Sequence, residues 1–167
     1  MNIIKKLLSK GKNLLVLIFL NLCGWCFKKK YRKNLYVFCE ARGGSTWLME
    51  KLEEFTNASL IWEPFHPYNG LFCSKQDNAW RPSIENFNGV DKLILLLDAM
   101  TSFRLKNMWS TKFMKLNSFL DSDLTIIKSV RANQLILPLL HRSYFELKPI
   151  FLTRHPVPTV LSQINAF

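Results

Sequence analysis

The feature that most constrains the fold is an apolar run that passes through two glycines into a segment of helical period. Residues 35–39 have the composition of a buried strand, and Gly43 and Gly44 follow at the predicted turn. Residues 45–55 have helical period, with three apolar side chains on the predicted inner face: Leu48, Leu52 and Phe55. The sequence therefore predicts a strand, a glycine turn and a helix in direct succession, as in many α/β domains.

The rest of the chain repeats this alternation of short apolar runs with longer segments of helical period. Further strands are predicted at Ser59–Trp62, Leu124–Val130 and 149–153. Helices are predicted at 91–108, 111–120 and 133–141 (the last interrupted by Pro138), and a long loop or lid at 66–89. A chain of 167 residues with 49% hydrophobic content can bury one core. We therefore predict one α/β domain over 34–167, with three layers around a mostly parallel central sheet.

The N-terminal segment, residues 1–33, is basic and partly apolar. It contains nine lysines and arginines and no acidic residue, within a formal net charge of +11. Residues 14–27 are apolar apart from Asn21, but they are fewer than the roughly 20 that a spanning helix needs. Three interpretations stay open: a helix on the membrane surface, a short spanning anchor, or a helix packed on the domain. We expect the first, in a protein that is membrane-associated and otherwise cytoplasmic, with no nucleic-acid partner.

The four cysteines do not indicate a metal site. Cys23, Cys26, Cys39 and Cys73 lack the paired spacing with histidines that a structural zinc site requires. Cys23 and Cys26 have the spacing of a redox motif, but they lie inside an apolar run, which favours ordinary buried thiols. No metal is predicted.

The turn between the first strand and the first helix has the composition of an anion-binding loop. Gly43 and Gly44 let the backbone approach an anion, and the N–H groups at the start of the helix point at it. Ser45 and Thr46 add hydroxyl donors, and Arg42 adds a permanent charge. The glycine spacing and the Gly-Lys-Ser/Thr of a Walker motif are missing. The alternative is a glycine turn with a serine or threonine cap on an ordinary helix.

A second phosphate-binding cluster is predicted after the last strand. Arg154 follows that strand, and Ser162 lies eight residues further on, two turns along the next helix. An arginine and a serine so placed can bind one phosphate from two sides. Alternatively, Arg154 is a surface arginine and Ser162 lies on a solvated helix face.

These two segments resemble the phosphate-binding motifs of the sulfotransferase family. Residues 42–47 (RGGSTW) resemble the loop that binds the 5′-phosphosulfate, although Gly43 stands where the family usually has serine. Residues 154–156 (RHP) with Ser162 resemble the motif that binds the 3′-phosphate, with histidine in place of the usual aspartate. Segments like 63–64 (EP) and 128–131 (KSVR) occur between the two motifs, in this order, in carbohydrate sulfotransferases.

The resemblance covers residues 36–167 and implies both a fold and an activity. The fold would be P-loop-like, and the donor would be 3′-phosphoadenylyl sulfate (PAPS), with no metal. The sulfuryl group would move to a hydroxyl or amine acceptor, with a carbohydrate as the expected one. Because members of the family continue beyond the position of Phe167, we expect a domain truncated at its C-terminus. The alternative function is a truncated, inactive, membrane-associated fragment.

The resemblance also implies a role for each site residue. Donor-binding residues would come from both motifs: Arg42, Gly43, Gly44, Ser45, Thr46, Trp47, Arg154 and Ser162. Arg42 would also stabilise the leaving oxygen. Glu63, at the end of the second strand, is the expected general base, or else a helix-capping or salt-bridged acid. His66 is the second candidate, or else a structural residue of the lid. Lys128 would contact substrate or phosphosulfate, or else be a solvated lysine.

Overall fold

The computed structural model describes residues 33–72 and 81–164, together with residues 11, 14, 15 and 18. Its centre is one sheet of four strands: β1 (Lys33–Cys39), β2 (Ser59–Trp62), β3 (Leu124–Val130) and β4 (Ile150–Leu152). The strands are parallel and lie in the order β2-β3-β1-β4. The predicted α/β class and parallel sheet are therefore confirmed, with two of the four strands at the predicted bounds.

Four helices and two short 3₁₀ turns connect the strands in the described part of the chain, and a fifth helix follows β4. The helices are α1 (Ser45–Thr56), α2 (Val90–Thr101), α3 (Leu116–Asp121), α4 (Ile136–His141) and α5 (Pro156–Ile164). The 3₁₀ turns are Glu85–Phe87 and Asn133–Leu135. Pro138 does not interrupt α4, because it lies in the first turn of that helix, where the missing N–H has no partner to lose.

Two predicted helices are shorter in the structure. The helix predicted at 91–108 ends at Thr101, because Phe103 adopts a left-handed backbone with φ of 55°. The helix predicted at 111–120 begins only at Leu116. Before it, Asn107 and Ser110 exchange side-chain and backbone hydrogen bonds of 2.8 to 3.1 Å, which hold this stretch in turns.

Helices cover both faces of the sheet, because alternate strand residues point to opposite sides. On one face, Met49 of α1 packs against strand residues Val37, Leu60 and Ile126. On the other face, α2 and α4 pack against a second set of strand residues: Tyr36, Phe38, Ile61 and Ile127. Phe55 was predicted on the inner face of α1, but it is 83% exposed. This prediction was wrong because the buried face runs through Ser45, Met49 and Glu53 instead.

Most of the N-terminal segment lies outside the described residues, as do Cys23, Cys26 and Cys73. Leu14, Leu15 and Ile18 are described, and they are helical and exposed. In the part of the chain that the structure describes, no helix has the length and apolar character to cross a membrane. The prediction of a surface helix over residues 1–33 stays a prediction.

Two leucines of α2 that differ in burial allow the packing of this helix on the sheet to be tested. Leu97 is fully buried against the sheet, whereas Leu95, on the same helix, is 69% exposed. We expect Leu97→Ala to lower the free energy of unfolding by about 2–5 kcal/mol, because it leaves a cavity. Leu95→Ala, the control, should change it by about 0.5 kcal/mol or less. Equal effects in urea denaturation would contradict this packing.

Candidate functional site

The carboxyl ends of the strands open onto a cleft of about 860 Å³. The chain leaves β1 for α1 on one face of the sheet and leaves β3 for α4 on the opposite face. Open α/β sheets bind ligands where the connections of neighbouring strands diverge in this way. Residues that follow each strand line the cleft, among them Arg42, Glu63, Arg131 and Arg154.

The loop between β1 and α1 is a tight turn that leaves the start of the helix without a side-chain cap. The Gly43 N–H donates to the Glu40 carbonyl over 3.2 Å, and a Cβ on Gly43 would lie only 3.0 Å from that oxygen. Gly44 is the N-cap of α1, with a left-handed φ of 87° and no side-chain hydrogen bond to the helix. The alternative in which serine or threonine caps the helix is therefore not what the structure has. N–H groups left uncapped at a helix start are suited to an anion.

The structure brings the two predicted phosphate-binding segments together. Arg42 Nε donates a 3.1 Å hydrogen bond to Ser162 Oγ, across 120 positions of sequence. An Arg154 guanidinium nitrogen donates to the Arg42 carbonyl over 3.3 Å. The loop before α1, the end of β4 and the second turn of α5 thus meet at one side of the cleft.

Lys128 is a buried cation at the middle of the cleft, with a side chain only 4% exposed. Its Nζ lies 2.8 Å from Glu63 Oε1, 3.2 Å from Thr46 Oγ1 and 3.6 Å from the centre of the Trp62 ring. The pairing of β2 with β3 sets Trp62 beside Lys128, which accounts for the cation–π contact. Lys128 is therefore not the solvated strand-end lysine of the alternative interpretation.

Glu63 is held where β2 ends. Its backbone is left-handed with φ of 38°, and its side chain is 16% exposed. This turn directs the carboxylate at Lys128 Nζ rather than into a helix cap, so Glu63 has the ion pair that the salt-bridged alternative expects. Since burying either charge alone is costly, the pair stabilises the cleft only while both partners are present.

His66 has a geometry that disfavours it as the base. Its Nδ1 accepts hydrogen bonds of 3.2 Å from the N–H groups of Tyr68 and Asn69. Burial lowers the pKa of His66, and the nearby Glu63 charge raises it by less. A neutral imidazole whose Nδ1 accepts carries its proton on Nε2 and presents a donor. Glu63 is the better candidate.

Two predicted donor-binding residues lie away from the cleft surface, and several residues of the cleft were not predicted. Gly43 shapes the turn without lining the cleft, and Trp47 is 65% exposed outside it. The unpredicted lining residues include Trp62, Trp109, Lys112 and Arg131. Of these, only Trp62 and Arg131 could have been found from the sequence, because each lies at the end of a predicted strand.

Comparison of the chain with known protein families, curated protein sequences and solved structures finds no match. In the described residues, no group of three or more His, Cys, Asp or Glu side chains is arranged to hold a metal ion. The chemistry of the cleft therefore follows from its own side chains: three arginines, the Lys128–Glu63 pair and the start of α1.

The ion pair at the centre of the cleft can be tested by a double-mutant cycle. We expect Lys128→Met to lower the free energy of unfolding by about 3 kcal/mol or more, because Glu63 is left without its cation. Adding Glu63→Gln should recover part of this loss. The control is Lys51→Met, which removes an exposed pair with Glu54 and should cost less than about 1 kcal/mol. Additive effects of the Lys128 and Glu63 substitutions would contradict the pairing.

Proposed function

We propose that this chain binds PAPS in the cleft and transfers its sulfuryl group to a hydroxyl acceptor, which we expect to be a carbohydrate. The observation that carries the proposal is the hydrogen bond between Arg42 and Ser162. It joins two segments that each resemble a phosphate-binding motif of sulfotransferases and that lie far apart in sequence.

The donor would be held by groups from two sides of the cleft. The N–H groups at the start of α1, with Arg42 and Thr46, would bind the 5′-phosphosulfate. Arg154 and Ser162 would bind the 3′-phosphate. The charge around the donor site fits this ligand, since four cationic side chains and one carboxylate surround it: Arg42, Lys128, Arg131, Arg154 and Glu63. A strand, a glycine loop and a helix at the centre of a parallel sheet also fit the proposed P-loop-like fold.

The transfer would use Glu63, Lys128 and Arg42. PAPS supplies a sulfuryl group activated by its bond to phosphate. The bond from sulfur to the phosphate oxygen breaks, and its electron pair stays on that oxygen, where Arg42 and Lys128 offset the charge. A new bond forms from sulfur to the acceptor oxygen, and the acceptor's proton passes to the Glu63 carboxylate. Lys128 contacts both Glu63 and Thr46, so it lies between the proposed base and the donor loop.

The basic N-terminal segment would bring this domain to an anionic membrane surface. Its excess of positive charge is suited to acidic lipids, and its apolar residues are suited to the interface. Membrane association and the absence of a nucleic-acid partner both stay parts of the proposal.

Donor binding is tested with adenosine 3′,5′-bisphosphate, the nucleotide product, by calorimetry. We expect saturable binding that Arg154→Ala weakens by about ten- to a hundredfold, because a charged hydrogen bond to phosphate is lost. Arg104→Ala removes an exposed arginine that donates to Ser102 Oγ over 3.0 Å and should leave affinity unchanged. Absence of saturable binding, or binding unchanged by Arg154→Ala, would overturn the site.

Transfer is tested with sulfur-labelled PAPS and a panel of glycans. We expect Glu63→Gln to lower the rate about 10²- to 10⁴-fold while nucleotide binding is kept, because the variant cannot take the acceptor's proton. Glu50→Gln, on the exposed side of α1, is the matched control. Nucleotide binding without transfer to any glycan would favour the inactive fragment instead.

A further inference from the structure

The β2 side of the cleft carries an aromatic wall that the proposed donor site does not use. We define it as Trp62, His66 and Trp109, which line the cleft together with Lys112, and Phe113, which packs against Trp62 beside the cleft. The Trp62 and Phe113 rings lie 4.2 Å apart, and the His66 and Trp109 rings 4.7 Å apart. Lys112 Nζ joins the two pairs, at 5.2 Å from the Trp109 ring and 4.9 Å from the Phe113 ring. The wall thus combines the partly exposed rings of His66, Trp109 and Phe113 with one cation, and the buried Trp62 supports them.

Hydrogen bonds fix this wall to the end of β2. The Trp62 backbone N–H donates to the Ser110 carbonyl over 2.9 Å. The Asn107 side chain donates to the carbonyls of Asn69 and Gly70, at 2.9 and 3.2 Å, and accepts from the Ser110 N–H at 2.8 Å. The segment that bears Trp109 and Lys112 is thereby tied to the turn that follows His66. A surface held in this way is preorganised to bind.

The strand order places the wall opposite the donor site. Across the sheet, β2 brings Trp62 and Glu63, β3 brings Lys128, and β1 and β4 bring Arg42 and Arg154. The rest of the wall is held at the end of β2 by the hydrogen bonds described above. An acceptor on the wall would therefore reach Glu63 from the side away from the proposed 3′-phosphate. This is the side that an in-line transfer leaves for the acceptor.

The chemistry of the wall favours an anionic sugar. Aromatic rings offer an apolar face for the C–H groups of a sugar ring, and the open side of the wall, where Phe113 is 40% exposed, suits an extended chain. Lys128 is paired with Glu63, whereas Lys112 forms no ion pair with any carboxylate in the described parts of the chain. A carboxylate or sulfate bound beside Lys112 would give its ammonium group a charged hydrogen-bond partner.

We propose that the aromatic wall is the acceptor subsite and that it binds a sugar carrying a carboxylate or sulfate, next to the hydroxyl that Glu63 deprotonates. This inference rests on the proposed transfer for its meaning, but the binding of the sugar can be measured without it.

The test is calorimetry of the full chain with an unsulfated chondroitin hexasaccharide, with and without adenosine 3′,5′-bisphosphate. We expect saturable binding that is about tenfold or more weaker for the carboxyl-reduced hexasaccharide, because the charged contact is lost. Reduced hexasaccharide carrying 6-O-sulfate should regain affinity if sulfate can replace carboxylate. Lys112→Gln should remove the preference for the charged sugar, and Lys112→Arg should keep it. Lys92→Gln, an exposed lysine on α2, should change nothing.

The outcomes separate this inference from the proposed function. Lys112→Gln should leave nucleotide affinity unchanged, which also shows that the variant is folded. If the chain binds nucleotide and transfers sulfate but binds the charged and the reduced sugar equally well, the acceptor subsite is overturned and the proposed function is kept. Stronger binding of a small phenol than of the hexasaccharide would overturn it too. Failure of nucleotide binding would overturn the proposed function. The sugar titration without nucleotide would still show whether the aromatic wall binds an anionic sugar.

Discussion

The parallel pairing of β1 with both β3 and β4 is the constraint on which the cleft depends. β1 pairs along its whole length with β3, and its last three residues pair with β4. Because the strands run the same way, the segments that leave them emerge side by side. A 2.8 Å hydrogen bond from the Arg131 backbone N–H to the Cys39 carbonyl continues the pairing one residue beyond β3. It fixes the positions at which the chain leaves β1 and β3. The arginines that follow β1 and β4 meet for this reason.

A single buried ammonium then connects three of these segments. Lys128 lies in β3, but it contacts Thr46 at the start of α1 and Glu63 after β2. A lysine has three N–H donors, and two of them are taken by these oxygens while Trp62 covers the charge with its ring. Because a buried cation without partners is costly, the native position of Lys128 requires both neighbouring loops to be in place.

The sheet could be predicted from sequence more reliably than the helices. Buried parallel strands are short runs rich in apolar residues, so Ser59–Trp62 and Leu124–Val130 were found at their observed bounds. Helix ends depend on single residues with weak sequence signals, such as the left-handed Phe103. The exposure of Phe55 shows a similar limit, because helical spacing defines a face without showing which residues the neighbouring strands will contact.

The same contrast holds within the cleft. The two arginine segments could be found because each has a local pattern at a strand end, and the sheet then brings Arg42 and Arg154 together. The wall has no such local pattern. Trp109 and Lys112 are held at the cleft by hydrogen bonds from the Asn107 side chain to a turn that lies nearly 40 positions earlier in the chain. One side of the cleft therefore follows from strand order, whereas the other follows from a tertiary contact that no local spacing encodes.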